Sequence, residues 1–361
     1  MTSKERVLAA INKESHDRPP IFTTLTPQVA RQLSEHLCID YEKPADSLLS
    51  TRISHSRLLT ALGNDCVGIA ACTPIERPVV ISPEGIITNE YGMVFKNSGL
   101  YNEFYQFPLK DAEFAADIEN YNWFDPELNS RFTLAKSTVK EYSNTYAIVA
   151  DLETTIYETA WYMTGLEKLL LDLLMEPEYL NPLLDKIMNI NLVTGKKLIE
   201  AGADILWAGD DFGSQSGMIM DTETWRSHFK PRIKFLFEEF KKVNPNIKIA
   251  WHTCGSVLPI IPDFIEIGLD ILNPLQPLAT GMNPEFLVSE YGRDLVFFGG
   301  IDIQELLPKG PVSRIKDEVN RRIEIFGRYN GYIIAPAHNI QPDTPVEHIL
   351  AFFDAALKFK F

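Results

Sequence analysis

The hydrophobic positions of this chain form short continuous runs, each followed by a longer amphipathic segment. Such runs are typical of strands buried on both faces of a parallel sheet, and amphipathic segments are typical of the helices that cover it. Strands are predicted over 21–24, 66–70, 146–151, 204–209, 247–251, 270–273, 295–298 and 331–335. Helices are predicted over 3–12, 27–36, 46–62, 155–163, 166–175, 177–201, 222–243, 256–267, 284–291, 312–328 and 346–358.

Eight strands that alternate with helices predict an α/β fold, a single (β/α)8 TIM barrel with an N-terminal helical extension. One domain is predicted to span residues 1–361. Residues 79–109 interrupt the alternation, because they are rich in β-branched and aromatic residues and contain the turn-forming sequences Pro-Glu-Gly and Asn-Ser-Gly. This segment is predicted to be a β-hairpin or meander inserted in the barrel.

Charge and composition argue against several classes of function. The net charge is −15 and no basic cluster is larger than a short pair, whereas a nucleic-acid binder normally has a basic face. No glycine-rich phosphate loop follows a predicted strand, which argues against a nucleotide site. The four cysteines form no C-x-x-C pair, and no apolar run approaches the length of a membrane span. We expect a cytoplasmic protein without membrane attachment, and a homodimer is the default if it oligomerises.

Candidate metal ligands follow two of the predicted strands, and in such barrels the chemistry lies where the strands end. His252 and Cys254 follow the strand at 247–251, and positions i and i+2 of an extended segment point the same way. An imidazole and a thiolate so placed can share a zinc ion, although a lone histidine beside a buried cysteine is an equally frequent arrangement. His338 follows the last strand and would complete two histidines and one cysteine, leaving a fourth position open for chemistry.

Carboxylates follow other strands at the same rim. Asp210 and Asp211 come after the strand at 204–209 and can orient a ligand histidine, complete a zinc shell or act as a general acid. An aspartate that caps the next helix is the structural alternative, and the sequence does not choose between the two members of the pair. Asp151 and Glu153 follow the strand at 146–151, where capping and catalysis are equally expected, and Asp302 is a weaker candidate.

The chain resembles the uroporphyrinogen decarboxylase superfamily over nearly its whole length. The matching segments are 5–10 with 17–20, 209–215, 252–255 and 342–345. Within the superfamily the chain is most similar to the corrinoid-dependent methyltransferases, which include methylcobamide:coenzyme M methyltransferases and the methyltransferases of aryl O-demethylases. That branch binds zinc through H-x-C and a later cysteine before a Pro-x-Thr-Pro run. The resemblance therefore implies zinc on His252 and Cys254, with His338 at the position of the later cysteine.

The resemblance implies a zinc-dependent methyltransferase that moves a methyl group between a small methylated substrate and a corrinoid presented by a partner protein. One thiolate and two histidines leave Zn²⁺ with a positive charge, which favours a methyl ether such as a methoxylated aromatic as the donor. Asp210, Asp211 or Glu153 would protonate the leaving oxygen. The decarboxylase branch carries an arginine-rich run after its first strand, and residues 23–27 lack one. The alternatives are a metal-free decarboxylase, acting on uroporphyrinogen or another acid, and a non-catalytic corrinoid- or ligand-binding scaffold.

Overall fold

The computed structural model describes residues 1–45, 52–97 and 102–361 and, within these ranges, every side chain except those of Asn97 and Glu153. Its strands are β1 (Cys66–Ala70), β2 (Val80–Ile81), β3 (Ile86–Thr88), β4 (Val94–Asn97), β5 (Asn102–Gln106), β6 (Ala147–Thr154), β7 (Ile205–Gly209), β8 (Lys248–His252), β9 (Ile271–Asn273), β10 (Val296–Ile301) and β11 (Tyr332–Pro336). Seven of them form a curled parallel sheet in the order β1-β6-β7-β8-β9-β10-β11. The barrel class predicted from the sequence is confirmed.

The predicted first strand at 21–24 differs from the other seven because it pairs only through isolated bridges. Ile21 bridges Ile334 of β11, and Leu25 bridges Ile340. On its other side one backbone bond runs from the N–H of Asp65 to the carbonyl of Ile21 at 2.7 Å. Side chains supply the rest: Asp65 accepts the N–H of Ile21 at 2.8 Å, and Asn64 accepts that of Thr23 at 3.0 Å. The ring of strands is thus closed between β11 and β1 by an extended segment rather than by a regular eighth strand.

The helices cover the outside of the sheet and occupy most of the predicted positions. They are α1 (Ser3–Ile11), α2 (Pro27–Leu37), α3 (Ser56–Leu62), α4 (Ala115–Glu119), α5 (Thr133–Tyr142), α6 (Tyr157–Thr164), α7 (Leu166–Met175), α8 (Leu180–Ala201), α9 (Thr222–His228), α10 (Lys230–Val243), α11 (Ile261–Glu266), α12 (Pro284–Tyr291), α13 (Leu306–Lys309), α14 (Val312–Phe326) and α15 (Val346–Lys358). Among the described residues, none of the helices combines the length and the apolar character that crossing a bilayer requires.

Three predicted helices have different bounds. The predicted helix at 222–243 is two helices, α9 and α10, because Pro231 has no N–H to donate across the junction. The predicted helix at 256–267 is a 3-10 turn, Leu258–Ile260, followed by α11, and each begins around a proline. The predicted helix at 46–62 begins at Ser56 as α3, and residues 46–51 lie outside the described part of the chain.

The inserted segment forms a second sheet at the rim. Strands β2 to β5 pair in sequence as a four-stranded antiparallel meander, with a bulge between Val94 and Phe95. The predicted hairpin or meander at 79–109 is therefore present within the described residues. It follows β1, so it lies on the side of the barrel where the strands end.

Buried charges at the opposite end of the barrel form a closed cluster. The fully buried carboxylate of Asp65, just before β1, accepts hydrogen bonds from Arg6 at 2.7 Å and from Arg18 at 2.8 and 3.0 Å. Arg6 also pairs with the more exposed Asp17 at 2.7 Å. Because each buried charge has a partner of opposite sign, the cluster anchors the N-terminal helix beneath the barrel.

Candidate metal centre

Two neighbouring strands bring the candidate residues together. Gly209, the last residue of β7, lies in register with His252, the last residue of β8. A Cβ on Gly209 would lie 2.3 Å from the carbonyl oxygen of His252, so only glycine allows this close approach. The chain after β7 therefore runs directly beside the His252–Cys254 segment.

Three side chains of different chemistry converge there. The Nε2 atom of His252 lies 3.4 Å from Sγ of Cys254 and 3.6 Å from Oδ1 of Asp211. All three potential ligand atoms lie within 4.8 Å of one another. Around a tetrahedral zinc with bonds of about 2.0 to 2.3 Å, ligand atoms are separated by roughly 3.3 to 3.8 Å. The oxygen, nitrogen and sulfur donors thus fit a zinc ion in type, and the two separations from Nε2 of His252 fit it in spacing.

Asn273, at the end of β9, fixes the orientation of the histidine. Its Oδ1 lies 2.5 Å from Nδ1 of His252, and its Nδ2 donates to the carbonyl of Phe298 at 3.1 Å. Because the second bond identifies the amide oxygen as the acceptor, Nδ1 of His252 must carry the hydrogen. The lone pair is then on Nε2, the atom that faces Cys254 and Asp211, as in known zinc-bound histidines.

Asp211 is held between the histidine and the loop that carries the cysteine. Its Oδ1 accepts the backbone N–H of Cys254 at 2.7 Å. Burial and the Asp211 carboxylate raise the pKa of the Cys254 thiol, while burial lowers the pKa of His252. Without a metal the site therefore holds a neutral thiol and a neutral imidazole. A divalent cation held by these residues would instead favour the thiolate of Cys254.

The neighbouring Asp210 points elsewhere. It is fully buried and accepts the backbone N–H groups of Thr155, Ile156 and Glu158 at 2.9 to 3.2 Å. Burial raises its pKa to about 7. Asp210 thus ties the end of β7 to the start of α6, and of the two adjacent aspartates only Asp211 joins the histidine and the cysteine.

Glu158, in the first turn of α6, was not identified from the sequence. Its Oε2 accepts the backbone N–H of Asp211 at 3.1 Å, and its Oε1 accepts the hydroxyl of Tyr162 at 3.0 Å. Burial and the carboxylates of Asp211 and Asp210 raise its pKa, which favours the protonated acid. The signal available in the sequence was an acidic residue in the first turn of a helix that follows a strand. The acid predicted to follow β6, Glu153, has a side chain outside the described part of the structure.

The other candidates lie around the centre. His338 follows β11 on the far side of the cleft, and its ring centroid is 6.2 Å from that of His252. His338 is not one of the three residues whose ligand atoms lie within 4.8 Å of one another, and its assignment as a metal ligand stays a prediction. Burial lowers the pKa of His338 to about 4, which makes it neutral at pH 7. Asp151 contacts Arg52 at 3.5 Å, and Asp302 accepts the backbone N–H groups of residues 304–306, a structural role.

A narrow cleft extends from the centre across the mouth of the barrel. His252 and His338 face it, and Arg52 lies with its guanidinium 4.7 Å from the ring centroid of Trp207. A hydrogen bond from Thr24 to Asn339 crosses the closure between the N-terminal segment and the loop after β11. The lining residues are Phe22, Thr23, Thr24, Arg52, Trp207, His252, Asn273, Pro274, Phe298, Ala335, Pro336, Ala337, His338 and Asn339.

Comparison with known proteins identifies the family. The model of the uroporphyrinogen decarboxylase (URO-D) family matches residues 105–359, and the chain belongs to this family. This region contains β6 to β11 and all three residues of the cluster. The resemblance inferred from the sequence is confirmed at the level of the superfamily.

Individual relatives are distant. A uroporphyrinogen decarboxylase of Hamiltonella defensa is 25% identical over 70% of this chain and 69% of its own length, and one of Nostoc punctiforme is 22% identical over 52% and 49%. The chain spans about half the length of most of the curated relatives it matches. Among solved structures, a methyltransferase from Methanosarcina mazei superposes with a TM-score of 0.69 at 20% identity and covers 99% of both chains. At this identity the likeness shows a shared fold.

Proposed function

We propose that this protein is a zinc-dependent methyltransferase that exchanges a methyl group between a small methylated substrate and a corrinoid bound to a partner protein. The observation that supports it most is the convergence of Asp211, His252 and Cys254 at the end of β7 and β8. The Methanosarcina protein, whose fold matches over 99% of this chain, is named a methyltransferase, which agrees with methyl transfer. The corrinoid partner follows from the resemblance to the corrinoid-dependent branch.

The residues present define what a metal would do in this site. Asp211, His252 and Cys254 would hold the ion, with Asn273 fixing the imidazole. Bound zinc would supply a Lewis acid for the heteroatom that carries the methyl group. One carboxylate, one thiolate and one neutral imidazole balance the charge of Zn²⁺, whereas the set with His338 in place of Asp211 would leave one positive charge.

A methyl ether remains the substrate that the surrounding residues favour. Removing a methyl group from an ether leaves an alkoxide or phenoxide, which needs a proton. Glu158 adjoins Asp211, and burial together with the two neighbouring carboxylates raises its pKa, which favours the protonated acid. We assign to Glu158 the role of proton donor to the leaving oxygen, a role that the sequence alone had given to Asp210, Asp211 or Glu153.

The first experiment is the metal content of the purified protein by mass spectrometry. We expect about one zinc per chain, lost in Cys254→Ala and reduced in Asp211→Asn because each removes a ligand. His338→Ala tests the ligand set: retained zinc supports Asp211, and lost zinc supports His338. Cys38→Ser is the matched control, since Cys38 is an exposed thiol outside the cluster. Wild-type protein without zinc would contradict the proposal.

The second experiment measures methyl transfer from methoxylated compounds to a reduced corrinoid protein. Cys254→Ala should lower the rate by more than the roughly 10- to 100-fold that follows loss of a residue supporting a metal ligand. Undiminished activity in this variant would exclude the zinc mechanism. Tight binding of the corrinoid protein without transfer from any donor would instead indicate a non-catalytic scaffold.

Decarboxylation of uroporphyrinogen is the second candidate, because the curated relatives described above are named as uroporphyrinogen decarboxylases. Arg52 is the one lysine or arginine among the described residues that line the cleft. A tetrapyrrole with eight carboxylates would normally require several cations at its binding site. Turnover of uroporphyrinogen by protein stripped of metal would favour this candidate over methyl transfer.

A further inference from the structure

Thr253 lies in the sequence between two residues of the metal cluster and has a different role. The side chains of His252 and Cys254 converge on the metal centre, whereas that of Thr253 contacts the chain that follows β7. Thr253 is buried, and its Oγ1 accepts the backbone N–H of Phe212 at 3.1 Å. Its own N–H donates to the carbonyl of Asn273 at 2.9 Å. A residue outside the cluster thus links the ends of β7, β8 and β9.

The hydrogen bond to Thr253 acts on the peptide unit that follows Asp211. The N–H of Phe212 belongs to the same planar unit as the carbonyl of Asp211, so its acceptor restricts the backbone rotation after the aspartate Cα. The preceding peptide unit is held as well, because Glu158 accepts the N–H of Asp211 at 3.1 Å. Since both peptide planes are held, the direction in which the Asp211 side chain leaves the backbone is fixed.

The loops after β7 and β8 also touch backbone to backbone just beyond this bond. A Cβ on Gly213 would lie 2.6 Å from the carbonyl oxygen of Cys254, and a Cβ on Gly255 would lie 2.5 Å from that of Ser214. The N–H of Ser256 donates to the same carbonyl of Ser214 at 2.8 Å. Because only glycine allows so close an approach, the two loops are packed as one unit that carries both the carboxylate and the thiol of the cluster.

We propose that Thr253 is a positioning residue of the metal centre: its hydroxyl holds the Asp211 carboxylate beside His252 and Cys254 before an ion binds. The inference rests on the proposed function for the presence of the ion, and on the hydrogen bonds alone for the placement of the carboxylate. In that placement Oδ1 of Asp211 accepts the N–H of Cys254 at 2.7 Å and lies 3.6 Å from Nε2 of His252. Ligands that are already in place lose less conformational freedom when an ion binds.

Zinc affinity, measured by competition with a chromogenic chelator, tests the role of the hydroxyl. Thr253→Val keeps the branched shape and removes the acceptor, so zinc affinity should fall about 10- to 100-fold, as it does when a partner of a metal ligand is lost. Thr253→Ser keeps the hydroxyl and should retain most of the affinity. Thr194→Val is the matched control and should leave zinc affinity unchanged, since Thr194 is a buried threonine of α8 whose hydroxyl donates to the carbonyl of Ile190.

A double variant separates an effect through Asp211 from a general loss of stability. If Thr253 acts by placing the carboxylate, removal of that carboxylate should also remove the contribution of the hydroxyl to zinc binding. The variant that combines Asp211→Asn with Thr253→Val should therefore bind zinc about as weakly as Asp211→Asn alone. An affinity lowered by the product of the two separate factors would show that Thr253 acts independently of Asp211 and would overturn the inference.

Amide hydrogen exchange tests the placement in metal-free protein. In the wild type the N–H groups of Phe212 and Cys254 should open with similar free energies, because both hydrogen bonds depend on the same arrangement of Asp211. Thr253→Val should accelerate exchange at Cys254 as well as at Phe212, and Thr194→Val should change neither. Clearly different opening free energies in the wild type, or an unchanged rate at Cys254 in Thr253→Val, would overturn the inference.

The inference and the proposed function can fail separately. The wild-type exchange measurement decides the inference even if Thr253→Val fails to fold. Zinc binding that is as tight in Thr253→Val as in the wild type would refute the inference alone. Joint opening of the N–H groups of Phe212 and Cys254, in a protein that binds no zinc, would refute the proposed function alone.

Discussion

The carboxylates beside the candidate metal centre have different partners from the buried carboxylate at the opposite end of the barrel. At the end where the strands begin, the fully buried Asp65 has two arginines as partners. At the end where they finish, Asp210 is equally buried, yet its partners are backbone N–H groups, and Asp211 faces His252. In the described part of the chain, neither Asp210 nor Asp211 pairs with a lysine or arginine.

This difference separates a stabilising region from a reactive one. The negative charge of Asp65 is already neutralised by two arginines. The carboxylate of Asp211, beside a thiol and an imidazole, has no such partner and can bind an added cation. At the rim, the missing positive charge is what a metal ion would provide. The following predictions test this contrast in order of decreasing effect.

Replacing Asp65 with asparagine should cause the largest loss of stability. The variant leaves the charges of Arg6 and Arg18 without their shared buried partner, and such a break costs about 3 to 5 kcal/mol. Urea unfolding of the two proteins measures the difference. Asp17→Asn is the control, because Asp17 pairs with the same Arg6 while its side chain is 46% exposed, and it should cost about 1 kcal/mol or less. Similar losses in both variants would contradict the contrast.

Ionisation of the buried Asp210 should lower the free energy of unfolding as the pH rises. Its folded pKa of about 7 is above the unfolded value of about 3.9, so its stabilising contribution is full below pH 4 and disappears as the pH rises through 7. Between pH 5 and pH 8 the metal-free wild type should lose about 2 to 3 kcal/mol through this group. Unfolding experiments at both pH values should show a smaller loss for Asp210→Asn.

The control for Asp210 is Asp221→Asn, which alters an exposed aspartate that caps α9. The pKa of Asp221 is lowered by its hydrogen bonds to Thr224, so its titration lies below the range tested. This variant should retain the slope of the wild type between pH 5 and pH 8. An unchanged slope in Asp210→Asn would show that the buried carboxylate stays ionised throughout.

Removing the side chain of Asn273 should weaken metal binding without unfolding the protein. Asn273→Ala deletes the acceptor that fixes His252, and comparable changes in zinc sites cost about 10- to 100-fold in metal affinity. Competition with a chromogenic chelator measures the affinity. Asn283→Ala, at the N-terminus of α12, should lower stability through the loss of a helix cap and leave zinc affinity unchanged. Equal zinc affinity in Asn273→Ala would mean that the ion does not use His252.

Local patterns were sufficient to predict most of the fold and part of the site. Alternating apolar and amphipathic segments gave the barrel, and the i, i+2 spacing gave His252 and Cys254. Asp210 and Asp211 could not be told apart, because they are adjacent and their directions depend on β6 and β8. Asn273 and Glu158 were missed, since both act through side chains far away in sequence. The segment at 21–24 lacks a regular ladder on one side because the side chains of Asp65 and Asn64 accept the N–H groups of Ile21 and Thr23.

The closure of the ring between residues 20–26 and β11 has a consequence for how the protein is made. Ile21 bridges Ile334, more than three hundred positions later, so the barrel cannot close during synthesis until its last strand has left the ribosome. Asp211, His252 and Cys254 have all been synthesised when the chain reaches residue 254. The hydrogen bond between Thr24 and Asn339 can form only when the ring closes. A nascent chain therefore contains Asp211, His252 and Cys254 well before the cleft beside them can close.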